Sequence, residues 1–233
     1  MSILTRAESA TVVRPLKALF FGPSKSGKTT LAATAPKAIM LDTEGGTMSI
    51  RESDVDVLRI LTWDDMDQAL KALMLEKHGY ESVILDSVTL LQEVAGAEAG
   101  LLRAILANED PRRAYGSIGA MIRHKILQLN ALPMNVIFTA QLRERDAVDM
   151  EAGQYPLTPD VTPAILKTLM AAPDLIARTK LHQVGAAPED VEYRVVFGPE
   201  SRSQVGNRDI ALPYEAQGVT IPKLIELINQ RSK

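Results

Sequence analysis

A glycine-rich run near the start of the chain has the residue types and spacing of a phosphate-binding loop. The segment Gly22-Pro-Ser-Lys-Ser-Gly-Lys-Thr-Thr30 matches the pattern G-x-x-x-x-G-K-S/T, between an apolar run and a predicted helix. Glycines let the backbone approach phosphates, and a helix N-terminus presents oriented N–H groups and partial positive charge. We expect the whole segment to bind a nucleotide: Gly22, Pro23, Ser24, Lys25, Ser26, Gly27, Lys28, Thr29 and Thr30.

Two side chains of this loop have specific roles in the expected chemistry. Lys28 should reach the β- and γ-phosphates of ATP and contribute to catalysis, and the Thr29 hydroxyl should bind Mg²⁺. The alternative is a glycine-rich turn that only resembles such a loop. No aromatic residue is evidently placed in the sequence to stack on the adenine, so the base contact is not predicted.

The second predicted metal ligand is Asp86, which ends the apolar segment Ser82-Val-Ile-Leu-Asp86. Ligands of open α/β sheets bind outside the carboxyl ends of the strands, and Asp86 would lie there. An aspartate before a helix can instead cap that helix by accepting hydrogen bonds from its first N–H groups. Together with the phosphate-binding loop, the position of Asp86 favours the Mg²⁺ role.

Hydrolysis also needs a group that positions water. Many P-loop ATPases have a glutamate directly after the metal-binding aspartate, but this chain has Ser87 there. Glu44 is the candidate instead, because it follows another strand end and is followed by Gly45 and Gly46, which leave room for water. Gln141, after a further strand, is placed to bind the γ-phosphate or the water. Either side chain could instead be an ordinary polar residue of a turn.

These candidates depend on apolar segments that should bring them to one edge of a sheet. The pattern predicts strands at 16–21, 38–42, 57–61, 82–86 and 135–140, and helices at 28–35, 62–78, 87–107 and about 117–131, the last preceded by a polar stretch at 108–116. Continuous apolar strands separated by helices are typical of a parallel sheet covered on both faces. We therefore predict an α/β fold with a mainly parallel, twisted sheet flanked by helices.

The pattern changes in the last third of the chain. Residues 142–160 are predicted to form a loop, followed by a short helix at 163–172 and strands near 174–183 and 191–197 that extend the sheet in antiparallel fashion. Pro222 should start a terminal helix that ends near residue 231. With no internal repeat, residues 1–233 are expected to form one domain: an arm at 1–15, a nucleotide-binding core at 16–141, and the extension at 142–233.

Composition narrows the class of protein. The 233 residues contain no cysteine, which excludes disulfides and thiolate metal sites. The formal net charge is −3, so any attraction to nucleic acid must come from local basic segments. No apolar run approaches the ~20 residues of a membrane span, and the N-terminus lacks the apolar segment of a signal peptide. We expect no membrane partner and a cytoplasmic location.

Four segments in this order resemble the core of RecA-like ATPases. They are the glycine loop, Asp42-Thr-Glu-Gly-Gly46, Leu85-Asp-Ser87 and Thr139-Ala-Gln141, and the later Val205-Gly-Asn-Arg-Asp209 adds a weaker likeness. The chain resembles most the phage nucleotide-binding family that includes the Sak-type single-strand annealing ATPases. The resemblance implies a RecA-like P-loop NTPase fold, ATP and Mg²⁺ as ligands, DNA-stimulated ATP hydrolysis, and a role in recombination or annealing inside a bacterial host cell.

The resemblance also implies partners. RecA-like subunits bind ATP between neighbours, so self-association into a ring or filament is expected, with a basic residue entering from the next subunit. Arg202 and Arg208 are the candidates for that residue, although both could be ordinary surface arginines. A separate single-strand DNA-binding protein is a further expected partner.

The resemblance further implies that single-stranded DNA contacts two loops. Segment 103–125 has five Lys or Arg residues against two acidic ones, and Arg112, Arg113 and Tyr115 are its candidate contacts, although it could be a solvated connection. The second loop, 142–160, offers Arg143 and Arg145 but has an acidic excess that would oppose phosphate contact.

Two other functions remain open from the sequence. An ATP-gated assembly protein would use the nucleotide to switch oligomerisation with little turnover. A small-molecule kinase could use the same phosphate-binding loop, but it needs an acceptor pocket, and the segment around Glu44 fits a water-positioning edge better.

Overall fold

The computed structural model describes residues 14–107, 110–146, 154–187, 190–208 and 212–230. Most of the predicted N-terminal arm lies outside these ranges, as do the end of the chain from residue 231 and the acidic residues Glu109, Asp149 and Glu151 of the two predicted DNA loops. Among the described residues, no helix is long and apolar enough to cross a bilayer.

Within the described residues, ten strands form the central sheet. They are β1 (Lys17–Gly22), β2 (Ala38–Asp42), β3 (Val55–Arg59), β4 (Ser82–Asp86), β5 (Asn135–Glu144), β6 (Leu157–Pro159), β7 (Leu175–Gln183), β8 (Val191–Val196), β9 (Gly206–Asn207) and β10 (Glu215–Gln217). The main order is β10-β8-β7-β1-β5-β4-β2-β3, with β6 paired to β5 and β9 to β7. The six strands from β7 to β3 in this order are all parallel, and β8 and β10 add an antiparallel edge. The predicted α/β class is confirmed.

Helices cover both faces of the sheet, because the central strands are apolar on both sides. They are α1 (Lys28–Ala32), α2 (Trp63–Leu75), α3 (Val88–Glu98), α4 (Leu101–Leu106), α5 (Arg112–Asn130), α6 (Pro163–Ala171) and α7 (Ile221–Gln230), with a 3-10 turn at Thr47–Ile50. One apolar cluster joins α2, α3, α5 and α6 to the sheet, and a second joins α1 and α7 to its other face. In β1, Leu19 and Phe21 belong to the first cluster and Phe20 to the second. Alternate side chains of one strand thus anchor the helices of both layers.

The start of α2 has a reciprocal capping arrangement. The Thr62 hydroxyl accepts a hydrogen bond from the backbone N–H of Asp65, and the Asp65 carboxylate accepts one from the backbone N–H of Thr62. This reciprocal arrangement satisfies two N–H groups that the first turn of a helix leaves without partners.

Two helical predictions need correction. The single helix predicted at 87–107 is divided into α3 and α4, because Gly100 has a φ of 69° and redirects the chain. The polar stretch predicted at 108–116 is not a loop throughout, since α5 begins at Arg112. Gly119 is buried inside α5, where an added Cβ would lie 3.2 Å from Ala164 of α6.

Two strand predictions are also corrected. Residues 142–160 are not a loop throughout, because β5 continues to Glu144 and pairs with β6 in antiparallel fashion. Pro159 fits this strand since β6 lies at an edge, where a residue without an N–H can be accommodated. The strand predicted at 174–183 pairs with β1 in parallel, so the antiparallel extension begins one strand later, at β8.

Candidate functional site

The parallel sheet brings the predicted site residues together. In the order β1-β5-β4-β2, the glycine loop begins at the end of β1, Asp86 ends β4, and Glu44 lies just beyond β2. Gln141 lies within β5, which continues to Glu144, but it pairs with Gly22 and is therefore level with the end of β1. Since parallel strands place these ends at one edge of the sheet, four segments far apart in sequence form one site.

The glycine loop packs closely against β7. A Cβ atom on Gly22 would lie 2.2 Å from the Oγ1 atom of Thr179, so a larger residue does not fit there. Gly27 has a φ of 85°, a left-handed conformation that glycine adopts without steric cost. The Ser26 hydroxyl is buried and lies 2.6 Å from the Thr179 hydroxyl. These contacts fix the path of the loop between β1 and α1.

Lys28 is buried under this loop. Its Nζ donates hydrogen bonds to the backbone oxygens of Gly22 (3.0 Å) and Pro23 (2.7 Å) and to Oε1 of Gln141 (3.3 Å). Burial lowers the pKa of Lys28, and the nearby carboxylates of Glu44 and Asp86 oppose that shift. The ammonium group is therefore held, with only 5% of the residue exposed, where phosphate oxygens would approach the loop.

Asp86 is tied to the loop and to the sheet. Its Oδ2 accepts a hydrogen bond from the Thr29 hydroxyl at 2.8 Å, and its Oδ1 accepts one from the Thr139 hydroxyl. Burial raises the pKa of Asp86, the two hydroxyl hydrogen bonds lower it, and nearby Glu44 and Asp42 raise it further. The N-cap of α3 is Ser87, whose hydroxyl accepts from the N–H of Leu90 at 3.3 Å, so Asp86 does not cap that helix.

The residues present fit a magnesium ion. The adjacent oxygens of Thr29 and Asp86 are hard ligands of the kind Mg²⁺ prefers. The described part of the chain has no cluster of three or more acidic, histidine or cysteine side chains that could hold a metal. Mg²⁺ at a nucleotide site does not need one, because waters and phosphates complete its shell.

Glu44 lies beside Lys28 and Asp86, and its position is fixed from several sides. Its Oε1 accepts hydrogen bonds from the Ser87 hydroxyl at 2.5 Å and from Nε2 of Gln141 at 2.8 Å. Gln141 in turn accepts from Lys28 through its Oε1, so an unbroken chain of hydrogen bonds runs from the ammonium group to the Glu44 carboxylate.

The turn that carries Glu44 depends on residues that sequence reasoning missed. The buried Asp42 accepts hydrogen bonds from the backbone N–H groups of Glu44 (2.9 Å) and Gly45 (2.8 Å), and its other oxygen pairs with Arg59 at 2.6 Å. Thr139 and Thr179 were missed as well. Asp42 could have been found, since an aspartate two residues before a turn residue often accepts from its backbone. Thr179 carries no such signal.

The candidate DNA-binding residues of α5 are exposed. Arg112, Arg113 and Tyr115 lie in its first turn, and the Arg112 side chain is 91% exposed. The helix has 19 residues and ends just before β5 begins, so its first turn lies toward the carboxyl edge of the sheet. These residues therefore share the edge that carries the glycine loop, but on a helix instead of the expected loop.

Arg112 itself lies near an acidic group, with its Nε 3.9 Å from Oδ1 of Asp110. The four candidate arginines outside α5 also each have an acceptor within the chain. Arg143 pairs with Asp160 at 2.6 Å, and Arg145 donates to Gln154 at 3.3 Å. The pairs Arg202–Glu144, at 2.8 Å, and Arg208–Asp174, at 3.3 Å, are largely solvent-exposed. Exposed pairs of this kind contribute little to stability and can exchange partners. Arg202 lies near the end of β5, whereas Arg208 lies at the start of β7, at the opposite edge of the sheet.

Comparison with known proteins supports nucleotide binding. A family model described as an AAA domain matches residues 14–208, which is well over half of the chain. The match includes the glycine loop, Glu44, Asp86 and Gln141. A search of curated proteins found no match.

Proposed function

Since this chain belongs to the AAA domain family of P-loop NTPases, we propose that it is a RecA-like ATPase that hydrolyses ATP and acts on single-stranded DNA in phage-type recombination or annealing. Nucleotide binding follows from the family. ATP hydrolysis, binding of single-stranded DNA and the role in annealing go beyond what family membership gives, and they are the content of our proposal.

The observation that supports hydrolysis best is the hydrogen-bond chain Lys28–Gln141–Glu44 beside the Thr29–Asp86 pair. It brings a lysine ammonium group, an amide and a carboxylate together at one edge of the sheet. A kinase would need an acceptor hydroxyl at the position where this carboxylate can instead hold a water molecule.

Each of these residues has a separate role in the proposed phosphoryl transfer. Lys28 and the backbone N–H groups of the loop bind the phosphates and stabilise the charge that develops on them. Glu44 accepts a hydrogen bond from the attacking water and orients it, and Gln141 connects Glu44 to the phosphate end of the site. Thr29 and Asp86 would hold Mg²⁺, which when bound neutralises phosphate charge.

Three features support the DNA part of the proposal. The resemblance of the motifs to the annealing ATPases suggests single-stranded DNA as the ligand. The first turn of α5 exposes Arg112 and Arg113 for phosphate contacts, and Tyr115 for base stacking. Arg143 and Arg145 at the end of β5 could add contacts, but only by leaving their present partners.

Self-association belongs to the same proposal. In a ring or filament, Arg202 is better placed than Arg208 to reach a neighbour's phosphates, because it lies near the site edge of its own subunit. A single-strand DNA-binding protein remains a proposed helper.

The test is phosphate release with and without single-stranded DNA. We expect DNA to raise the rate, and both Lys28→Ala and Glu44→Gln to lower it by about 100-fold or more. Glu76→Gln is the matched control for the loss of a glutamate charge, since Glu76 is exposed at the end of α2. Normal hydrolysis by Glu44→Gln would show that another group positions the water. ATP-driven oligomerisation without hydrolysis or DNA binding would favour an assembly protein, and phosphate transfer to an added metabolite a kinase.

A further inference from the structure

An exposed apolar patch lies on the β7–β8 pair, and the proposed chemistry does not use it. Leu181 is 45% exposed, Val184 52% and Tyr193 57%. Leu181 and Tyr193 are directly opposite each other in the antiparallel register. Paired residues of neighbouring strands project from the same face of a sheet, so these two side chains form one surface.

This patch adjoins the glycine loop. Thr179, which contacts Ser26 of the loop, is two residues before Leu181 on β7 and therefore projects from the same face. The Tyr193 ring approaches the loop as well: a Cβ atom on Gly27 would lie 3.0 Å from Cδ1 of Tyr193. The apolar surface thus begins where the phosphate-binding backbone ends.

The order of the strands determines which part of a nucleotide could reach the patch. Gln141, Asp86 and Glu44 lie on β5, β4 and beyond β2, all on one side of β1, whereas β7 and β8 lie on the other side. The γ-phosphate end must lie toward the metal-binding and water-positioning groups. The nucleoside end of the same extended molecule must then leave the loop toward β7 and β8.

We propose that Tyr193, supported by Leu181, is the platform on which the base of the bound nucleotide stacks. This inference rests on the proposed nucleotide site and adds the base contact that the sequence did not reveal. A tyrosine ring offers a large flat surface at low conformational cost, and base–aromatic stacking needs no particular hydrogen bond. The bound base would cover the exposed faces of Tyr193 and Leu181.

The experiment compares a nucleotide with a ligand that has phosphates but no base. Binding of Mg²⁺–ATP and of Mg²⁺–tripolyphosphate is measured by titration calorimetry for the wild-type chain, Tyr193→Ala and Tyr193→Phe. Tyr214→Ala is the matched control, because Tyr214 is 55% exposed and lies against a glycine, Gly198, that is not part of the phosphate loop. Lys28→Ala reports on the phosphate site itself.

We expect Tyr193→Ala to weaken ATP binding by roughly 5- to 150-fold, the range that removal of a stacked aromatic gives, and to leave tripolyphosphate binding unchanged. Tyr193→Phe and Tyr214→Ala should bind ATP as the wild type does.

Four results would overturn the proposal. If Tyr193→Ala binds ATP normally while Lys28→Ala does not, the phosphate site stands and the base lies elsewhere. Equal losses of ATP and tripolyphosphate would mean that Tyr193 only supports the loop. A change in oligomeric state with unaltered ATP affinity would assign the patch to a second copy of the chain. A wild-type chain that binds neither ligand would refute the nucleotide site and the platform together.

Discussion

At the scale of single residues, the position of Glu44 is fixed by Ser87. This serine directly follows Asp86, at a position where many P-loop ATPases have a glutamate. The Ser87 hydroxyl donates to Glu44 at 2.5 Å and also accepts from the N–H of Leu90 at the start of α3. One buried side chain therefore orients the carboxylate and caps a helix. These two roles predict different effects, on turnover and on stability.

We expect Ser87→Ala to lower kcat for ATP hydrolysis by about tenfold with little change in KM, because a hydrogen bond to a charged group contributes about 1.5 kcal/mol or more. It should also lower stability by about 1 kcal/mol through loss of the cap. Steady-state kinetics and urea denaturation measure the two effects. Thr62→Ala is the control, since it removes the N-cap of α2 away from the site and should leave kcat unchanged. An unchanged kcat in Ser87→Ala would show that Gln141 alone orients Glu44.

Sequence alone could identify Lys28, Thr29, Asp86, Glu44 and Gln141 because each stands at a recognisable position relative to an apolar strand. The structure brings all five together. The sequence could not identify Thr179 or Tyr193, because their relation to the loop arises from the pairing of β1 with β7, which is more than a hundred residues away in the chain, and of β7 with β8. A periodic pattern predicts that a strand exists but does not predict its neighbour.

At the scale of elements, the central strands were predictable since their apolar runs are long and end in polar residues. The C-terminal part was less so. The parallel pairing of β7 with β1 and the continuation of β5 past Gln141 both depend on which strand lies alongside, and the antiparallel pairing with β6 involves only three residues of each strand. The helix predicted at 87–107 is interrupted at Gly100, whose backbone is left-handed. A single glycine also occurs inside continuous helices, so its presence in the sequence does not predict an interruption.

The junction between β1 and the α5–β5 connection makes a prediction about pH. Lys17, the first residue of β1, donates to the backbone oxygens of Leu132 (2.6 Å) and Met134 (2.8 Å). Burial lowers the pKa of Lys17 from 10.5 to about 8, and nearby Asp174 opposes the shift. Between these two values the unfolded chain holds the proton and the folded chain has lost it. Stability should therefore rise with pH across this range.

We expect the free energy of unfolding to increase between pH 7.5 and 9.5 by about 1–2 kcal/mol from this group. Urea denaturation at the two values measures it. Lys17→Gln should remove most of the increase, whereas Lys71→Gln, at an exposed position on α2, should preserve it. An equal increase in both variants would assign the pH dependence to other groups.

At the scale of the whole molecule, the formal net charge of −3 means that the protein as a whole does not attract nucleic acid. Binding of single-stranded DNA then depends on where positive charge is concentrated. The first turn of α5 presents Arg112 and Arg113 on the same edge of the sheet as the glycine loop. DNA held there would lie near the nucleotide site, which is the arrangement that DNA-stimulated hydrolysis requires.

The double variant Arg112→Ala/Arg113→Ala tests this location through its response to salt. Each phosphate contact with single-stranded DNA contributes about 0.7 to the slope of log affinity against log salt concentration. If both arginines contact phosphates, the slope should decrease by about 1.4, and DNA stimulation of ATP hydrolysis should weaken while the DNA-free rate stays the same. Lys71→Ala/Lys77→Ala removes the same charge from an exposed site at α2 and should change the slope much less.

Equal decreases in both double variants would mean that DNA binding depends only on the total charge of the protein. An unchanged slope in the arginine variant would place the DNA on another surface. If the slope decreases only in the arginine variant and DNA stimulation of hydrolysis is also lost, the DNA lies at the start of α5. Only a contact between DNA and these two arginines would link the two losses.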